Sequence, residues 1–340
     1  MVSSKERDYY FDNVKFILIL LVVIGHVIEP LINTNVNQKA LYILIYSFHM
    51  PLFVLVSGYF SKKINTDNYI LKTIKKVLVP YLIFQVLYFL FFRFGLNNPG
   101  TKFSLTIPYW IMWFMLSTFI WKLILPYFVK LKYPIVISIA LAVIAGYINE
   151  IGYFMSISRT ITFFPYFLMG YYLKRTDIEK LNTIKTKILS IMILFCTSII
   201  IYFLAPKIYC GWLYGSYSYA KLNAHYWYAG IHRLEMLSLA ILLSISVLSL
   251  IPNRKTIFSE MGARTMYVYL LHGFIVKFFV KLNLYSSYDI TLLIFAGVLI
   301  CLILSSRFVE ILAKPIIQPE FSFSKKSNTI ISQEGKGTEI

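Results

Sequence analysis

An all-α fold, a polytopic bundle of transmembrane helices, is predicted by three observations. Hydrophobic residues make up 58% of the 340-residue chain and charged residues only 14%, where a soluble domain carries about 25% charged residues. The apolar residues gather in runs close to the roughly 20 residues that a helix needs to cross a bilayer. Lys and Arg collect in alternate connections between those runs. A soluble core cannot hide this much apolar surface, and mean hydropathy is +0.69. A soluble enzyme, a disordered chain and a coiled coil are thereby excluded.

About ten spans are expected, because a run of this length satisfies its backbone polar groups internally only as a helix. They are 16–32, 41–60, 77–94, 107–128, 134–150, 160–173, 188–206, 234–251, 264–281 and 291–312. The first reads as a retained helix and not a signal peptide. Asp8 and Asp12 interrupt its basic lead-in, and no small-residue cleavage site follows. The sixth run is short and the ninth carries His272. The connection 174–187 is basic and polar, as a cytoplasmic loop should be. The connection 207–233 is rich in Tyr, Trp, Gly and Ser. It reads either as an interfacial aromatic belt or as a sugar-stacking surface, since aromatic faces pack on the C–H faces of pyranose rings. Residues 1–314 form the membrane domain, and 315–340 form a polar tail expected to be disordered and cytoplasmic.

The charge balance of +18, from 33 Lys+Arg against 15 Asp+Glu, would suggest nucleic acid in a soluble domain. Here it fits the positive-inside rule, and no nucleic-acid partner is expected. With the N-terminus cytoplasmic and spans alternating, about two thirds of the Lys and Arg fall inside, which favours cytoplasmic N- and C-termini. Cys196, Cys210 and Cys301 form no CxxC pair and no zinc ligand set. Cys196 and Cys301 sit in apolar runs, where a free cysteine packs as a small hydrophobe.

Titratable residues at membrane depth are costly and mark function. His26 lies roughly 12 Å from the outer boundary by helical rise, and His49, entering from outside, lies at about the same depth. Glu29 follows His26 by one helical turn. It is either an interfacial residue or a carboxylate that holds one imidazole nitrogen and leaves the other as a proton acceptor. His272 lies in the ninth run, with Tyr269 one turn before it. The His/Glu spacing is not a metal motif, and no metal is expected.

Several segments carry a resemblance. RDYYFDNVKFILILLVVIGH (Arg7–His26) and FHMPLFVLVSGYF (Phe48–Phe60) are followed in order by LKTIKKVLVPY (Leu71–Tyr81), WFMLSTF (Trp113–Phe119), FFPYFLMGYYLKR (Phe163–Arg175) and MYVYLLHGF (Met266–Phe274). Together they resemble the acyltransferase-3 family of integral membrane acyltransferases, nearest the fucose 4-O-acetylase-like subgroup. The resemblance implies transfer of an acyl group, usually acetyl from acetyl-CoA, to a sugar hydroxyl of a cell-envelope or capsular polysaccharide or its lipid-linked precursor, in a bacterial plasma membrane. It places the essential histidine at His26, with Lys15 where the family commonly has arginine. The family's basic pair falls among Lys72, Lys75 and Lys76. Lysine keeps the charge but lacks the guanidinium fork.

The chemistry assigns candidates. His26 is the general base, and His49, Tyr269 and His272 are the further catalytic candidates, orienting the base or donating to the oxyanion. Lys15, Lys72, Lys75 and Lys76, with Lys62 and Lys63 nearby, form a cytoplasmic patch suited to CoA phosphates, although the positive-inside bias alone also explains lysines there. Ser57–Gly58 reads as a close helix contact, with Ser57 lining the CoA channel. Trp113, Arg233 and Glu235 are expected at the acceptor. Two rivals remain at this level. A transporter or flippase for lipid-linked sugars would show inverted repeats and broken helices, and none is visible. A non-catalytic membrane protein leaves three intramembrane histidines without a role.

Overall fold

The computed structural model describes residues 8–64, 66–284 and 290–319. Among these the chain is helical throughout and contains no strand. In chain order the main helices are α1 (Tyr9–Ile28), α2 (Val36–Tyr59), α3 (Tyr69–Gly95), α4 (Trp113–Phe128), α5 (Pro134–Ala145), α6 (Ile157–Tyr172), α7 (Ile184–Leu204), α8 (Gly230–Leu250), α9 (Thr265–Lys281), α10 (Ile290–Leu304) and α11 (Arg307–Ile317). Each of the ten apolar runs coincides with one of these helices or, for the last, with the pair α10–α11.

Among the described residues six helices are long and apolar enough to span a bilayer, α4 being counted with its 3-10 lead-in from Trp110, and the bent pair α10–α11, folded by 69°, makes up to seven. The remaining runs are shorter as helices than they looked as apolar stretches. Helix α5 has 12 residues, α6 has 16 and α9 has 17. The apolar run 134–150 overshoots its helix because α5 gives way to turns after Ala145. Helix α11 continues through Pro315 to Ile317, past residue 315, where the polar tail was expected to begin. Residues 320–340 lie outside the described residues.

Helix α1 is the centre of the bundle. It packs against α2, α9, α10 and the short helix Ser259–Gly262. Its first turn is tied down by polar residues that no lipid-facing helix could carry. Asp8 caps it, accepting from the Phe11 amide, and pairs with both oxygens to Arg175 Nη1 at 3.1 Å. Asn13 donates to Pro252 O and Arg254 O and accepts from Thr256 and Ser259 hydroxyls. The segment Asp8–Asn13 is thus an anchor for one end of α1. Helix α7 is peripheral, with only 11% of its apolar window buried. Cys196, expected to pack as a core hydrophobe, is exposed on it, whereas Cys210 and Cys301 are buried.

The most extensive helix contact is α2 against α6. Small residues make it possible. A Cβ on Gly58 would lie 1.9 Å from Phe167 O, and one on Gly170 would lie 1.8 Å from Leu55 O. The expected close contact at Ser57–Gly58 is therefore present, and the Ser57 hydroxyl turns back to Phe53 O at 3.0 Å.

Candidate functional site

The beginning of α1, the end of α2 and the beginning of α3 meet at one end of the bundle. That end carries Lys15, Lys62, Lys72, Lys75 and Lys76. The other end carries the aromatic segment between α7 and α8. A polar cavity of about 270 Å³ opens toward this aromatic end, with His26, Glu29, Tyr46, His49, Trp110, Trp113 and Arg159 among the residues of its wall.

His26 sits on the last turn of α1, and the chain then tightens into a 3-10 turn at Glu29–Leu31. The i, i+3 spacing puts imidazole and carboxylate on one face. His26 Nδ1 is 3.2 Å from Glu29 Oε2 and 3.0 Å from the Tyr46 hydroxyl. With the proton on Nδ1, that N–H donates to Glu29 and meets the Tyr46 oxygen, and Nε2 keeps a lone pair for accepting a proton. Of the two readings open for Glu29, the imidazole-holding one describes the geometry.

Around this dyad the rings are close. Trp110 lies 4.5 Å from His26 between centroids. His272 stacks on His26 at 5.5 Å and 24° and lies 6.3 Å from Trp110. Tyr46 lies 4.5 Å from His49 and stacks on Tyr42 at 3.8 Å. His49 Nδ1 donates to Ile45 O at 2.8 Å, and His272 Nδ1 donates to Val268 O at 2.9 Å. Each of these two rings therefore presents Nε2 as an acceptor. His272 is wholly buried and its Nε2 has no partner. It supports His26 from behind and is not part of the cavity wall.

A cation completes the site. The Arg159 guanidinium lies 5.2 Å from the Trp113 ring and 5.4 Å from the Tyr153 ring, and its Nε donates to Tyr214 O at 3.2 Å. At the rim the Tyr153 hydroxyl donates to the Tyr217 hydroxyl at 3.3 Å. Among the described residues no group of three or more His, Cys, Asp or Glu is placed to hold a metal ion.

The cavity brings together His26, His49 and Trp113 of the sequence candidates. Tyr269 donates to Ile111 O at 2.5 Å and faces a second, apolar cavity, whose wall includes Lys76. Lys15 pairs with Asp12 at 2.8 Å, and Lys72 reaches back to Asp67 O at 3.4 Å. Arg233 is buried next door, donating to Thr162 Oγ1 at 2.9 Å in a small annex that shares Tyr46, Phe163 and Leu213 with the main cavity. Glu235 is instead on an exposed face, paired with His232 at 2.8 Å, and is absent from both cavity walls.

Sequence reasoning missed Tyr46, Trp110, Arg159 and Tyr214. Arg159 had a signal. It stands one residue before the sixth apolar run, and a charge at a span edge beside aromatics invites the depth argument used for the histidines. Tyr46 is one turn before His49 on the same helix face. Trp110 and Tyr214 had none, because only tertiary packing brings them to His26.

With the geometry in place, comparison with known proteins is informative. A family described as acyltransferase domain matches residues 8–306. Two curated relatives are similar. The nodulation protein NolL of Sinorhizobium fredii (strain NBRC 101917 / NGR234) is 29% identical over 197 residues, covering 53% of this chain and 52% of the relative. The nodulation protein NolL of Mesorhizobium japonicum (strain LMG 29417 / CECT 9101 / MAFF 303099) is 29% identical over 186 residues, covering 50% and 48%. The chain thus spans about half the length of the curated relatives it matches. No solved structure matches it. The family match runs from the anchor of α1 through α10 and takes in the whole wall of the His26 cavity, so this multi-pass membrane chain belongs to the acyltransferase-3 family.

Proposed function

We propose that the protein is a membrane O-acyltransferase, in the first instance an O-acetyltransferase. Its donor is cytosolic acyl-CoA. Its acceptor is a hydroxyl of a cell-envelope or capsular polysaccharide, or of its lipid-linked precursor, in the bacterial plasma membrane. The single observation that carries this reading is the His26–Glu29 pair opening on an aromatic-walled cavity. His26 Nε2 takes the proton of the sugar hydroxyl as the oxygen attacks the thioester carbonyl. The tetrahedral oxyanion forms beside hydroxyl and cationic donors, with Tyr46 and Arg159 the nearest groups of those types in the wall. Collapse breaks the C–S bond, and the departing thiolate recovers the proton from His26. Glu29 holds the imidazolium in orientation meanwhile. Trp110, Trp113 and Tyr214 supply flat faces for the sugar ring.

Lysines at one end and aromatics at the other suit a donor arriving from the cytoplasm and an acceptor from outside. Residues 1–314 are read as the membrane acyltransferase unit. The test is incubation of purified protein with labelled acetyl-CoA and an envelope glycan. Glycan-dependent release of free CoA with label on the glycan is expected. Absence of label transfer across a panel of bacterial envelope glycans overturns the reading.

A further inference from the structure

The second cavity, about 180 Å³, lies toward the lysine-rich end from the first. Phe53, Val77, Phe114, Met115 and Met266 make its wall almost wholly apolar. Four polar side chains interrupt it, Lys76, Thr118, Thr265 and Tyr269. Lys76 is exposed and stands at the mouth. Tyr269 stands at the inner end. Its hydroxyl is occupied by Ile111 O, and Ile111 belongs to the wall of the His26 cavity. The Tyr269 ring is therefore a partition between the two spaces.

Thr118 is the anomaly. It is only 8% exposed and its hydroxyl has no hydrogen-bond partner. A hydroxyl on a buried helix normally bonds back to the carbonyl four residues earlier. Ser47, Ser57, Thr73 and Ser246 all do so in this protein. Thr118 leaves its donor and acceptor unused in an apolar chamber, and buried polar groups are ordinarily paired.

We propose that this chamber seats the pantetheine arm of the acyl-CoA donor and that the Thr118 hydroxyl is its amide-binding residue. The proposal rests on the acyl-CoA reading above and deepens it. The arm is a narrow chain of methylenes interrupted by two secondary amides, with the thioester at one end and phosphates at the other. An apolar passage with a cation at its mouth and one unsatisfied hydroxyl within has the matching pattern. Thr118 and Trp110 are separated by roughly 12 Å along the helix axis, a length comparable to the extended segment from thioester to the farther amide. A thioester held in this way lies at the Tyr269 partition, beside His272 and His26. Thr118 is a positioning residue, since it fixes the arm and not the reacting carbonyl.

The test uses the full-length protein in detergent. Thr118→Val should raise KM for acetyl-CoA about tenfold with kcat and the acceptor KM nearly unchanged, and Thr118→Ser should restore the wild-type KM. In calorimetry, Thr118→Val should weaken CoA binding by a similar factor while leaving adenosine 3′,5′-bisphosphate, which lacks the arm, unaffected. Met115→Trp, which fills the chamber, should abolish CoA binding with thermal stability retained. Unchanged CoA affinity in both Thr118→Val and Met115→Trp overturns the chamber assignment while the acyl-CoA reading stands. The same result alongside a co-purified phospholipid displaced by Met115→Trp makes it a lipid site. No CoA binding by the wild-type protein overturns both readings together.

Discussion

At the scale of single residues, the proposed reaction gives the imidazole of His26 and the carboxylate of Glu29 separable jobs. Removing the proton acceptor removes the chemistry, so His26→Ala should abolish label transfer while the protein accumulates normally. Glu29→Gln keeps the shape but ends the carboxylate's hold on Nδ1–H. It should lower kcat about 10²-fold with little change in KM, and a steady-state comparison with wild type measures both. Unchanged kcat in Glu29→Gln would return Glu29 to a mere interfacial role. His26, His49 and Trp113 were legible in the sequence because a titratable or amphipathic side chain at depth demands a polar environment. Arg233, expected at the acceptor, sits in the annex, and Glu235, expected there too, pairs locally with His232 one turn away. The convergence of Tyr46, Trp110 and Tyr214 on His26 depends on which helices are neighbours, and one sequence does not encode that in any local pattern.

At the scale of helices, position was easier to read than extent. Apolar runs marked the main helices of the bundle, since a helix in hydrocarbon satisfies its backbone internally and turns apolar side chains to lipid. Length was overestimated for α5, and the α10–α11 run concealed a sharp bend, because hydropathy averages over a long stretch and is blind to a break as short as Ser305–Ser306. The contact between α2 and α6 was visible as Ser57–Gly58 on one helix only. Its partner Gly170 acquired meaning once Leu55 O was found above it. A Cβ at either glycine meets backbone, which cannot swing aside as a side chain would. Gly58→Ala and Gly170→Ala should each destabilise by about 1–3 kcal/mol, read as a lower Tm in detergent, whereas Gly100→Ala, whose added Cβ meets only Asn98 at 3.5 Å, should leave Tm unchanged.

At the scale of the whole molecule, the two ends of the bundle differ in kind. Loop lysines, which the positive-inside rule draws to the cytoplasm, mark one end, and aromatic residues mark the other. In a variant with exposed Cys196 replaced by alanine, cysteines placed at Lys63 and Lys221 should report opposite sides. A membrane-impermeant maleimide applied to intact cells should label Lys221→Cys and spare Lys63→Cys until the cells are permeabilised. The reverse pattern would invert the assigned orientation. Replacing Lys72 and Lys76 together with alanine should raise KM for acetyl-CoA several-fold with kcat little changed, since charges at the mouth concentrate an anionic donor. The effect should shrink as ionic strength rises.

Glu29 opens the 3-10 turn that continues α1, one turn after His26 on the same continuous segment, whereas Tyr46 and His272 reach His26 from neighbouring helices. The proton acceptor and its counter-ion are thus a single covalently continuous unit, preassembled as soon as α1 forms. Any displacement of α1 relative to α2 would part the phenol from the imidazole and leave the imidazole with its carboxylate.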